Sequence, residues 1–525
     1  MLVVGVPIIW LTIAALGALG TSTALGATML PTALRETALL MAAVGLITGA
    51  VGLTAAWLVT HYDFPFRRFF DWALVLPLAV PTYLAAYAYV EVLDFTGPVQ
   101  SAVRELTGAT TIRDYWFPNI KSQWGAVLVF SAVLYPYAYV ACRAFFLMQS
   151  TTLSIAARTL GASGARTFFA VVLPVARPAL VVGMTLAMME VVNDLGAVQY
   201  FGVNSITAII YSTWINRSDF GGAAQLAVTV VLVIGLLIIA EQKARRNRAF
   251  SAQRDSRIPP AREILTKGRR WLAFGFCASL FLFGFGIPAG ELAYLSVRLY
   301  HPQTLALMLN ALIPTVTLAS AGALVTVALG LMAARLGEAS GTTWTLIRIA
   351  TLGYAIPGTV LALGLLQPLG QADLWFNRMT MALLDWRPGL ILSGSMVALV
   401  YVYAIRFLAV SHSTLDAAMK KRGNRMLDAS RALGASRMRT FFRIDLPTLS
   451  PALLSAGMLV FVEIVKELPA TLLLRPLGVE TLATLIYSRA NVGLFVQAAL
   501  PALTIVLVGT IPVILASWAA DRRKV

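Results

Sequence analysis

An all-α polytopic membrane protein of about twelve transmembrane helices, in two parallel six-helix repeats, is the fold class that the sequence predicts. Three observations predict it. Hydrophobic residues make up 58% of the 525 positions against 12% charged, and the mean hydropathy is +0.78, far from the balance of a soluble globular domain. The apolar residues lie in long continuous runs, as in 226–240, rather than in alternating segments of about ten residues, which selects helices over a barrel. Polar landmarks recur at a constant offset, Gly161 with Gly434 and Pro174 with Pro447, so the chain is a tandem duplication.

Taken in order, the apolar runs fall near 6–25, 37–60, 71–93, 124–148, 179–200 and 222–241, then near 271–296, 311–334, 346–366, 389–410, 452–474 and 496–519. Each is long enough to cross about 30 Å of hydrocarbon. The first run has no charge before Arg35, unlike the basic start of a secretory signal, and reads as a retained span. Between the two sets, Lys243 to Arg270 holds ten Lys or Arg residues around Pro259-Pro260. That segment divides the chain into a six-span half at 1–245, a basic linker at 246–267 and a six-span half at 268–525.

The positive-inside rule places the linker and the Arg522-Arg523-Lys524 end in the cytoplasm, and counting spans outward puts the N-terminus there too. The net charge of +17 is spread over loops between spans. No face interleaves it with aromatics, so a nucleic-acid partner is not expected. Cys142 and Cys277 both fall on spans and are expected to pack rather than to pair or bind metal.

Several landmarks support the duplication. Pro81 recurs as Pro357 and Gly52 as Gly330 at nearly the same offset as the polar landmarks, and Ile210-Tyr211-Ser212 returns as Ile486-Tyr487-Ser488. An even number of spans per half returns the chain to the same face before the repeat starts, so the repeats are parallel, with an axis along the membrane normal.

The most informative landmark is a polar island that occurs twice: Ala156-Ala157-Arg158-Thr159-Leu160-Gly161-Ala162-Ser163, and Asp428-Ala429-Ser430-Arg431-Ala432-Leu433-Gly434-Ala435-Ser436. Each leads to Leu-Pro (Leu173-Pro174; Leu446-Pro447) and a second proline, Pro178 or Pro451. A helix-compatible run reaches glycine at a C-cap or tight turn, and the chain then re-enters the membrane. Such a projection on the cytoplasmic face suits insertion into a partner's cleft.

With this spacing the chain resembles the permeases of binding-protein-dependent ABC importers. Their cytoplasmic signature places an acid and two alanines before Gly at a fixed distance, followed nine residues later by Ile-x-Leu-Pro. The second copy matches through Asp428, Ala429, Gly434 and Pro447; the first matches through Ala156, Ala157, Gly161 and Pro174, with Ile155 where the family has an acid. The resemblance implies coupling loops, including Arg158 and Arg431, that dock on a dimer of cytoplasmic ATPase subunits. It also implies a periplasmic or extracellular solute-binding protein and a bacterial inner-membrane location with both termini cytoplasmic. The chain has no GxxxxGK[ST] loop, so ATP would bind the partner and no cofactor is expected here. Neither HExxH nor GxSxG occurs, and the chain reads as a transporter rather than an enzyme.

The fused halves and the stretch from Met189 to Gly202 resemble ferric-iron importer permeases in particular. Thiamine importer permeases share the layout, and an ion-coupled secondary transporter of twelve spans is the alternative of a different class. Glu190 and Asp194, and at the repeat offset Glu463 and Glu467, place acids at i and i+4 on the span that follows each island. Two readings stand for them: carboxylates lining a substrate path, with Glu190 and Glu463 as transient ferric-iron ligands, or span-end acids satisfied by Lys466, Arg475 or backbone amides. Arg143 and Arg406 are expected to snorkel.

Overall fold

The computed structural model describes residues 2–18, 23–148, 157, 159–246, 262–298, 302–337, 341–422 and 425–522. Ala156, Arg158 and linker positions 247–261 lie outside them. Helices dominate. The strands found among the described residues are the two-residue pair Tyr62–Asp63 and Glu263–Ile264, joined in parallel with Tyr62 opposite Glu263.

Nine helices among the described residues are long and apolar enough to cross a membrane, and eleven spans result if two bent pairs each count as one. The expectation of twelve differs from this in three places. The run at 6–25 is described only in part: its helix Leu2–Gly17 has 16 residues, and 19–22 lie outside the described residues. The runs at 71–93 and 346–366 are broken, with bends of 93° and 109°. Val80 and Ile356, each just before a proline, are extended at ψ 110° and 130°, because the ring of Pro81 or Pro357 disfavours the helical region for its predecessor. The runs at 179–200 and 452–474 end early: the helices Leu173–Asn193 and Leu446–Val465 stop, and short helices Gly196–Tyr200 and Pro469–Leu474 follow.

Three π-helical turns, 168–172, 282–286 and 441–445, interrupt otherwise regular helices. Each ends two residues before a proline, at Pro174, Pro288 and Pro447. A proline inside a helix lacks the N–H for the carbonyl four residues back and its ring collides with that carbonyl. The widened turn falls where that bond is missing. Within the 282–286 turn the Phe283 carbonyl accepts the Tyr89 hydroxyl.

The chain packs as two units, neither of them identical with a sequence half. One comprises 24–209, 229–300 and 493–525. In it, Gly52 lets the Thr23–His61 helix approach the Gln123–Met148 helix so closely that a Cβ would stand 2.7 Å from the Tyr139 amide nitrogen, and Gly183 of the Leu173–Asn193 helix meets Ala138. Small residues at such crossings bring backbones together where lipid offers no hydrophobic driving force. The Ile287–Arg298 helix, from the second half of the sequence, packs here against Thr82–Leu93 and Phe495–Arg522. Cys142 and Cys277 are free and buried in this unit's apolar cluster.

The other unit comprises 1–23, 210–228 and 301–492. Its centre is the trio Pro302–Gly337, Met396–Arg422 and Leu446–Val465. Gly330, the counterpart of Gly52, sits against Ser411, where a Cβ would stand 2.8 Å from the serine's own. The Leu2–Gly17 helix packs on Gly358–Leu384, and Trp10 Nε1 donates to Gln367 Oε1 at 2.8 Å.

Candidate functional site

The second polar island folds as helix, turn, helix, and the described residues of the first take the same turn into a following helix. The helix Arg425–Ala432 is followed by Gly434 at φ +79°, and Gly161 takes φ +84° at the equivalent place. Glycine adopts this left-handed conformation freely, while other residues lose roughly 1–2 kcal/mol in it. Beyond it the Ala435 amide donates to the Ser430 carbonyl at 3.1 Å, and the Ala162 amide to the Ala157 carbonyl at 3.0 Å. These are Schellman bonds, which satisfy carbonyls that a helix end would leave unpaired. Two residues after each glycine a serine starts the next helix: Ser163 Oγ accepts the Arg166 amide and Ser436 Oγ the Arg439 amide, both at 3.3 Å, as N-caps do.

Asp428 lies in the first turn of its helix and is exposed, as is Ala429; Arg431 continues that helix. A carboxylate there complements the positive end of the helix dipole. Pro174 and Pro447 each open a span helix after its π turn. Leu160 and Leu433, which the sequence reading passed over, immediately precede the two glycines and are each 88% exposed. The available signal was a leucine placed beside a C-cap glycine in a polar segment, where no apolar stripe continues to bury it.

The four acids divide into two kinds. Asp194 and Glu467 hold the short helices that follow the span breaks. Asp194 Oδ1 accepts the Ala197 amide at 2.7 Å and its other oxygen accepts the Thr82 hydroxyl. Glu467 accepts the Ala470 and Thr471 amides, each at 3.0 Å, and the Thr471 hydroxyl at 2.6 Å. A carboxylate at these helix starts satisfies amides that lack intrahelical partners. The sequence signals were Asp194 two residues before Gly196, and Glu467-Leu468 before Pro469 at the helix start. Glu190 is half-buried in the last turn of its span, and Glu463 pairs with Lys466 at 2.8 Å with its side chain 30% exposed.

Glu467 also pairs with Arg406 at 3.2 Å. Arg406 is 8% exposed, so it does not snorkel; it is buried against a carboxylate whose other valences are filled. Its room comes from Gly358, whose Cβ position would be 2.7 Å from Glu467 Oε1. In the first half Thr82 occupies the place of Gly358 and supplies the hydroxyl that binds Asp194, while Val133 stands in place of Arg406. Arg143 pairs with Asp71 at 2.6 Å. Among the described residues no three His, Cys, Asp or Glu side chains form a group able to hold a metal ion.

The chain is similar to the Fe(3+)-transport system permease protein FbpB 2 of Haemophilus influenzae, 24% identical over 489 residues, which cover 92% of this chain and 88% of that protein. It is also similar to the molybdenum transport system permease protein ModB of Escherichia coli, 29% identical over 205 residues, covering 38% of this chain and 86% of that protein. A probable sulfate transport system permease protein cysT of Nephroselmis olivacea is 28% identical over 199 residues, 37% of this chain and 66% of that protein. The family described as "binding-protein-dependent transport system inner membrane component" matches residues 48–246 and again 326–525. The chain therefore belongs to that family and carries its domain twice: it is a multi-pass inner-membrane permease of the ABC importer type.

Proposed function

We propose that this permease carries ferric iron, delivered by an extracytoplasmic binding protein, into the cytoplasm by alternating access, driven by a dimer of separate ATPase subunits. One observation carries the coupling: both islands share the same Schellman turn, glycine conformation and serine cap at equivalent positions of the two repeats. Two such projections suit two copies of one partner. Leu160 and Leu433 are the apolar knobs that fill the ATPase cleft, with Asp428 adding a charged contact on the second loop. The linker, both loops and both termini face the cytoplasm in this reading.

The cargo assignment rests on similarity to FbpB 2 along nearly the whole chain. Glu190, half-buried in the last turn of its span, and Glu463, 30% exposed beside Lys466, are the carboxylates that a passing hard cation, with its preference for oxygen ligands, would meet in this reading. The half-length similarity to molybdenum and sulfate permeases favours an oxyanion as the second reading. Proteoliposomes holding the permease, its ATPase and its binding protein decide between them: labelled ferric iron should accumulate with ATP, and thiamine, molybdate and sulfate should not. Joint Glu190→Ala and Glu463→Ala should slow iron uptake with ATP hydrolysis retained; uptake at the wild-type rate would remove the acids from the path.

A further inference from the structure

The base of the second loop is ionic where that of the first is apolar. Asp445 ends the π turn 441–445 and is 3% exposed. Its carboxylate pairs with Arg335, near the end of the Pro302–Gly337 helix, and with Arg422, the last residue of Met396–Arg422. The Arg422 side chain is 4% exposed. The Arg335 guanidinium also lies over the Phe441 ring, 4.3 Å from its centre. Close by along the same three helices, Ala334, Leu415, Met419 and Leu449 form a buried apolar cluster. A single carboxylate thus ties the root of the loop to two span helices, with Asp445 and Arg422 buried and the Arg335 side chain 35% exposed.

The counterparts in the first half carry no charge. Val172 stands at the position of Asp445 and is buried, and Trp57 stands at that of Arg335. The Trp57 ring meets Phe168, the equivalent of Phe441, at 5.8 Å and Phe146, the equivalent of Met419, at 5.5 Å. Ring packing of this kind is held by apolar burial and weak edge contacts, which are only loosely directional. An ion pair to a buried carboxylate gives way only by leaving a buried charge uncompensated.

We propose that Asp445, Arg335 and Arg422 form a positioning joint that makes the second coupling loop move as one body with the Pro302–Gly337 and Met396–Arg422 helices, while the first loop rests on a joint that can shift. The inference rests on the reading of 425–440 as an ATPase-docking loop. The two loops are alike in shape and differ in how displacement leaves them: the second transmits directly into the helices of its unit, and the first transmits with slack.

Hydrogen exchange on the complete permease–ATPase complex, with and without nucleotide, tests this independently of the cargo. In the wild type, nucleotide should alter exchange in 425–440 and at the 330–337 and 415–422 helix ends. Asp445→Asn should keep the change in the loop and reduce it at the helix ends at least five-fold. Asp445→Glu should restore it, and Val172→Ala in the first half should change little. The triple replacement Asp445→Val, Arg335→Trp, Arg422→Gln imitates the first joint without stranding a charge, so it should fold, bind the ATPase and also lose transmission. Wild-type transmission in Asp445→Asn or in the triple variant, or an equal loss in Val172→Ala, would overturn the joint. A wild-type complex in which nucleotide leaves 425–440 unchanged would instead overturn the docking reading beneath it.

Discussion

Removing the two exposed leucines gives the sharpest test of the coupling loops. Leu160 and Leu433 are each 88% exposed, so almost none of their apolar surface contributes to the fold of the free chain. Burying a leucine fully in a partner's pocket is worth about 1.5–3 kcal/mol, and truncation to alanine forfeits most of that. Leu433→Ala should therefore weaken ATPase binding by about 2 kcal/mol, roughly 30-fold, since 1.4 kcal/mol is a factor of ten. Leu160→Ala should cost a similar amount, and the double variant should lose more than either, though anchor residues seldom add fully. The assay is titration of purified ATPase subunit onto the detergent-solubilised permease, with the melting temperature of each variant followed in parallel. Melting should not move, because the side chains touch little. A double variant that binds the ATPase as tightly as the wild type would refute the assignment of these loops as its docking elements.

Other expectations follow from the helix breaks and turns. Glu467→Ala removes the partner of buried Arg406 and the acceptor of two amides, and should destabilise by about 3–5 kcal/mol, seen as a large fall in melting temperature. Asp194→Ala should cost less, since Val133 stands where a buried arginine would be stranded. Gly358→Ala puts a methyl against Arg406 and Glu467 and should cost about 1–3 kcal/mol by overpacking; a melting curve like that of the wild type would count against the crowding. Gly161→Ala or Gly434→Ala should cost roughly 1–2 kcal/mol each in the left-handed turn, with faster amide exchange confined to that island and no change in the spans.

The resemblance between the halves was legible in sequence because it lies in short-range chemistry. Glycine at a C-cap, the Leu-Pro that follows, and proline in mid-span each act on their immediate neighbours, so Gly434, Pro447 and Pro357 announce a turn and a break before any packing is known. The i, i+4 spacing of Glu463 and Glu467 was legible too, but not their separate fates. Glu467 lies beyond the last turn of its helix and bends back to the next one, whereas Glu463 stays on the span beside Lys466. Composition places both acids in a membrane helix; only the position of the helix end decides which becomes a cap.

The sequence by itself determined that this is a helical membrane protein, that it is duplicated, and where its two projecting loops fall, because hydropathy, offset and backbone preference are properties of the chain alone. Tertiary structure decided that Leu2–Gly17 packs in the unit of the second half and Ile287–Arg298 in the unit of the first. It likewise decided that Arg406 is buried against Glu467 and that Asp445 gathers Arg335 and Arg422. In each of these pairs the two partners belong to different elements, separated by several helical turns or whole spans of intervening chain. No local periodicity specifies such pairs; they arise because a buried charge must find its counter-charge among whichever helices the packing brings near.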